Sequence, residues 1–192
     1  VTISQSETST DFGEQVAAAV SGQVADATDT IKVVVDPATW VETLRTAKND
    51  FGLIFFSWLG AVDWTNEPAV GEPVESEVEE RFEVLCTVGD VSAGRRVTFS
   101  TSLAKSEPRL DSLVGVYAGA NWHEREAHEM FGIEFVGHPN LANLYLPDGF
   151  IGQPLLKSYP LLSRDVKPWP GTVDVEGMPG VADEEPAEGG DE

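Results

Sequence analysis

The chain is poor in the residues that most catalysis and nucleic-acid binding require. Cys86 is its only cysteine among 192 residues, so an internal disulfide and a cysteine-ligated zinc or iron–sulfur site are excluded. Twelve lysines and arginines stand against 33 acidic residues, a formal charge of -21. Binding to nucleic acid needs cations that displace the counterions of phosphate, and anionic lipid heads make the same demand. Both partners are therefore disfavoured. No apolar run approaches the roughly 20 residues of a membrane helix; the longest is Leu53 to Val62. The first eleven residues contain neither a basic side chain nor an apolar block, so they do not read as a secretory signal. A cytoplasmic chain with no membrane span is expected.

Phosphate-binding glycine loops and a Gly-x-Ser-x-Gly elbow are also missing. What is present is a hydrophobic fraction of 41%, enough for one packed domain. Residues 1–30 read as a partly mobile extension with a short helix through Phe12, Val16, Ala19 and Val20. Ile31 to Val35 is β-branched and strand-like. Asp36 and Pro37 then open a helix whose apolar face is Trp40, Val41, Leu44 and Ala47. Leu53 to Trp64 is a buried strand with a bulge expected at Gly60. Arg81 to Val88 and Arg95 to Leu103 complete an antiparallel meander, after an acidic loop from Asn66 to Glu80.

Helical spacing of Leu113, Val116 and Tyr117 predicts a helix capped by Asp111 or Ser112, and Trp122 to Phe131 predicts another, stopped by Gly132. The fold class expected is α+β: a two-layer domain, with a mainly antiparallel sheet packed by helices, then a long extended Pro/Gly-rich C-terminal tail. The corresponding boundaries are 1–30 for the extension, 31–135 for the core domain, 136–180 for an extended partner-contacting segment and 181–192 for an acidic disordered tail. The extended segment carries much apolar surface but enough prolines to forbid a helix. It is expected to lie on its own domain and on a partner.

The densest reactive cluster is His123, Glu124, Arg125, Glu126, His128 and Glu129. A zincin helix needs histidines four apart. These two are five apart, about 140° around a helix from each other, and cannot share one ion. Pairs at i,i+4, Arg125 with Glu129 and Glu124 with His128, are the simplest use of these charges. Glu126 shares a side with Trp122 and Met130, so it is expected beside the apolar stripe with an arginine or backbone N–H as partner.

Residues 121–139, Asn-Trp-His-Glu-Arg-Glu-Ala-His-Glu-Met-Phe-Gly-Ile-Glu-Phe-Val-Gly-His-Pro, resemble the signature of the 30 kDa subunit of respiratory complex I, also known as its C subunit. Glu124, Arg125, Glu126, Glu129, Met130, Phe131, His138, Leu144 and Tyr145 match the family pattern. Ala142 departs from it, where a basic residue or proline is usual. The stretch from Leu144 to Pro160 is similar to a second family segment, with Gln153, Leu156 and Ser158 in place of its histidine, arginine and aspartate. The resemblance covers about residues 31–171.

The resemblance implies a core structural subunit of the peripheral arm of proton-pumping NADH:quinone oxidoreductase, lying peripherally on the cytoplasmic side of the cell membrane. FMN, iron–sulfur clusters and quinone then belong to partner subunits, above all the terminal iron–sulfur subunit and the quinone-cavity subunit, and this chain holds no catalytic, cofactor or metal residue. The motif and subunit-interface positions it implies are Trp122, Glu124, Arg125, Glu126, Glu129, Met130, Phe131, Gly132, His138, Pro139, Leu144, Pro154, Leu155 and Lys157. One alternative is the equivalent subunit of a complex I-like hydrogenase or other-donor dehydrogenase. Another is a free-standing metal-dependent hydrolase using His123, Glu124 and His128.

Overall fold

A computed structural model describes residues 3–25, 30–67 and 77–160, with side chains from residue 11 onward. The expectations for the centre of the acidic loop and for residues 161–192 lie outside the described residues. The elements are α1 (Ile3–Ala19), β1 (Gln23–Ala25), β2 (Ile31–Val34), α2 (Trp40–Asp50), β3 (Phe55–Trp64), β4 (Arg81–Asp90), β5 (Arg95–Leu103), β6 (Arg109–Asp111), α3 (Ala120–Phe131) and β7 (Glu134–Val136).

Five strands form one sheet in the order β1-β2-β5-β4-β3, antiparallel except for the β2–β5 pair, and β6 pairs with β7 in a small parallel ribbon. This is the expected α+β class. Alternation along the strands places Val33, Phe99, Cys86 and Leu59 in one cross-strand row, all fully buried. Trp40, Leu44 and Ala47 of α2 and Ala120 and Ala127 of α3 join the same core. Asp36 accepts a hydrogen bond from the Ala38 amide at the start of the α2 segment, as expected, but its first turn, Pro37–Thr39, is a 3-10 helix.

Several expectations need correction. Phe12, Val16, Ala17 and Val20 of α1 belong to the common core, and β1 pairs with β2, so residues 12–25 are not an extension lying outside the domain. Ala19 points outward instead of Ala17. The irregularity in β3 falls between Phe56 and Trp58, not at Gly60. Gly60 serves a different need: a Cβ there would collide with the Trp58 ring, so the glycine makes room for the indole. The helix expected over residues 112–117 is a run of tight turns, in which the amides of Val116 and Tyr117 both donate to the Leu113 carbonyl. The Ser112 hydroxyl takes the Val114 amide, a local bond that competes with helix.

Candidate functional site

The charged cluster lies on α3. The helix ends where expected: Gly132 adopts φ 77° and its amide donates to the His128 carbonyl, a left-handed cap. One turn per 3.6 residues puts Ala120, Glu124 and Ala127 on the buried face. Glu124 is 0% exposed. The core-facing stripe therefore carries a glutamate, and the apolar Trp122, which points away from the core, is 61% exposed. Glu126 is only half-buried and, among the described residues, makes no hydrogen bond or ion pair. Within this chain Glu126 does not meet the expected arginine or backbone N–H, because the buried stripe runs through Glu124, about 200° round the helix from it.

The three glutamates have three environments. Glu124 accepts the Leu113 amide at 2.6 Å and the Ser112 hydroxyl at 2.6 Å, fastening α3 to the turn before it. Burial pushes its pKa up to about 7, against the smaller opposing effect of those two bonds. Glu129 accepts three consecutive backbone amides, from Leu144 at 3.1 Å, Tyr145 at 2.9 Å and Leu146 at 2.7 Å. Burial works to raise its pKa, but the amides of Tyr145, Leu146 and Leu144 and the charge of Arg125 outweigh it and hold the carboxyl below its ordinary value. Glu126 is half-buried on the side of α3 away from Glu124.

Arg125 donates to the carbonyls of Ala142 and Asn143, both at 2.9 Å, and stacks over the Trp122 ring. The expected i,i+4 pairs are thus not the bonds formed. Both Arg125 and Glu129 reach across to the backbone of the segment after β7, and His128 turns to the Ile133 carbonyl at 2.8 Å. The departure at Ala142 falls on a residue whose carbonyl, not its side chain, meets Arg125.

The histidines diverge. His123 meets the Leu59 carbonyl on β3 at 3.1 Å. His138 accepts the Asn140 amide on Nδ1, so Nε2 carries the proton that it donates to the Asn121 carbonyl at 3.2 Å. Among the described residues no group of three or more His, Cys, Asp or Glu is placed to hold a metal ion. Cys86 is buried in β4, and burial first, then the charge of Glu124, raises its thiol pKa far above neutrality.

The tail continues along its own domain. The Leu155 amide donates to the Met130 carbonyl at 3.2 Å, and the Lys157 amide to Asp63 at 2.9 Å. Asp63 lies buried on β3, also ion-paired with Lys105 at 2.7 Å. Phe131 packs against Phe82, and the Gln153 side chain lies over Gly132. Pro154 and Leu144 are half-buried and Pro139 is exposed. Meanwhile Tyr145, Phe150, Ile151 and Leu155 turn their side chains outward, Ile151 with 88% of its surface free. Sequence reasoning missed Asp63 and Lys105, and named Ser112 only as a cap and not as a partner of Glu124. An aspartate at a core-facing position of an apolar strand is the signal that points to Asp63.

These contacts define an α+β domain whose polar helix grips an extended stretch of its own chain by the backbone, with Leu141 and Leu156 packed on the core and Tyr145, Ile151 and Leu155 turned outward. Residues 33–165 match the family described as respiratory-chain NADH dehydrogenase, 30 Kd subunit. The chain is similar to the C subunit of NADH-quinone oxidoreductase from Citrifermentans bemidjiense, 30% identical over 141 residues that cover 73% of this chain and 81% of that one. It spans 16% to 60% of the length of six further relatives, one of them a fused C/D subunit. The trypsin-resistant fragment (1–134) of Nqo5 has a similar fold, with TM-score 0.52 and 24% identity over 66% of this chain and 94% of that one. So does a chain of the membrane-bound sulfane sulfur reductase, an archaeal respiratory membrane complex, with TM-score 0.50 and 18% identity over 73% and 75%. The chain belongs to the family of 30 kDa subunits of the respiratory-chain NADH dehydrogenase.

Proposed function

We propose that this chain is a non-catalytic core subunit of the peripheral arm of a proton-pumping NADH:quinone oxidoreductase, supporting electron transfer to quinone without holding a redox centre. The observation that carries this reading is the division of labour along residues 142–155. The backbone of residues 142–146 and of Leu155 is bonded to Arg125, Glu129 and Met130, while Tyr145, Ile151 and Leu155 turn their side chains outward. An apolar row held in fixed register is a surface shaped for another chain.

In this reading FMN, the iron–sulfur clusters and quinone reside in partner subunits, and the terminal iron–sulfur and quinone-cavity subunits meet the 136–180 segment. Among the described residues no helix is long and apolar enough to cross a membrane, which suits a peripheral place in a membrane complex; the cytoplasmic side is part of the same proposal. The His/Glu hydrolase alternative gains no support from histidines directed at three separate carbonyls. Affinity purification of the tagged chain from its host, followed by mass spectrometry, tests the proposal. Co-purification with a flavoprotein carrying an NADH site is expected. A hydrogenase or other donor module in its place would transfer the chain to a related machine, and recovery without any partner would overturn the structural role.

A further inference from the structure

We propose that the Glu124 carboxyl is a proton-binding site built into the joint between α3 and the 112–117 turn, holding its proton while the joint is closed and releasing it to solvent when the joint opens. The geometry is that of a carboxyl enclosed without a counter-charge. Its side chain is wholly buried, its two partners are the neutral Leu113 amide, which donates to Oε1, and the neutral Ser112 hydroxyl beside Oε2, which can accept the proton when that oxygen carries it, and no Lys, Arg or His forms an ion pair with it among the described residues. A carboxylate so placed loses its hydration and gains no cation in exchange.

The titratable groups that the neighbouring elements bring to this joint do not supply the missing charge. Cys86 from β4 is a neutral thiol, its pKa raised by burial and then by Glu124 itself. Tyr117, in the turn, is raised in the same sense by burial, and its hydroxyl donates to the Leu53 carbonyl at 2.7 Å. Lys48 from α2 reaches the same turn, but its ammonium donates to the Val116 carbonyl and lies over the Tyr117 ring. His128, one helical turn further on α3, is turned to the Ile133 carbonyl. Asp111, at the end of β6, is exposed and of like sign.

Burial accordingly pushes Glu124 to about 7 from an ordinary 4.5. In the opened joint the carboxyl meets water and ionises at its ordinary value. Opening therefore becomes easier as pH rises from 4.5 through 7, and the closed joint is firmest when Glu124 is protonated. The same helix carries Arg125 and Glu129, so proton occupancy at the joint steadies the element that holds the tail. Every group in the joint belongs to this chain, and its titration is the same whether or not the chain serves an NADH-fed complex.

Amide hydrogen exchange of Leu113 and Val114 in the full-length chain, corrected for the intrinsic pH dependence of exchange, provides the test. Between about pH 6 and 8 the opening constant is expected to rise about tenfold in the wild type, and to stay flat in Glu124→Gln, whose amide cannot ionise. A flat wild-type profile, or the same rise in the variant, overturns the proposal. Infrared spectra of the wild-type chain with carbon-13-labelled glutamate keep the question decidable if the variant does not fold. A protonated-carboxyl band near pH 6 that is lost by about pH 8 is expected, and a spectrum showing only ionised carboxylates at the lower pH overturns it.

Discussion

Glu124 and Glu129 lie five residues apart on one helix, and their surroundings move their protonation in opposite directions. Glu129 is ionised and fastened to three amides, and removing its charge weakens each of those bonds. Glu129→Gln is expected to lower stability by about 1–3 kcal/mol, read by denaturant unfolding, with the largest gain in amide exchange at Leu144, Tyr145 and Leu146. Because its folded pKa is depressed, this contribution is present above the ordinary carboxylate range and lost as pH falls through the lowered value. In acid, therefore, the wild-type advantage over the variant should vanish. Arg125 acts through shape as well as charge, since its Nε and one terminal nitrogen address two successive carbonyls. Arg125→Lys keeps the charge but cannot span both. It is expected to cost about 1 kcal/mol and to raise exchange and proteolysis near residues 142–146. Full protection there would show that the fork does not hold the segment.

At the scale of elements, β3 shows how one small residue makes room for a large neighbour on the same strand. The Trp58 indole lies over Gly60, and a methyl group would collide with it. Gly60→Ala is expected to destabilise the chain by about 1–3 kcal/mol through overpacking, measured by thermal or denaturant unfolding. Adding Trp58→Leu should recover much of the loss, because the two changes share one contact. Additive losses would mean that the backbone of β3, and not the indole, requires glycine. The strand pattern itself was legible, since β-branched and aromatic runs bounded by turn residues mark β2 to β5 nearly to the residue. The short strands β1, β6 and β7 carry no such signal. They exist because neighbouring elements bring them side by side, and three residues have too little intrinsic preference to announce it.

At the scale of the whole molecule, the outward row on the tail separates folding from assembly. Ile151→Asp with Leu155→Asp changes exposed side chains, so unfolding of the isolated chain should shift by less than about 0.5 kcal/mol. The same pair should sharply reduce the amount of assembled complex, because it puts two charges into a surface that partners must desolvate. Normal assembly would remove the tail from the interface. The motif residues were legible as a group but not in their roles. Pattern reasoning places Arg125 opposite Glu129, as any isolated helix would, whereas both side chains reach beyond the helix to backbone groups that a sequence does not show to be near.

The sequence alone determined the class of this protein: a folded α+β domain with an acidic surface, a strand meander, a glycine-capped charged helix and no thiol or phosphate-loop chemistry. Those features follow from local propensity, periodicity and composition, which act over a few residues. Only the tertiary structure decided that the carboxylates of α3 are divided between a buried joint at Ser112 and a clamp on residues 144–146. The reason is physical. Helical periodicity tells which side chains share a face, but not which face is turned inward when the best apolar residue, Trp122, is left outside and a glutamate finds two donors inside.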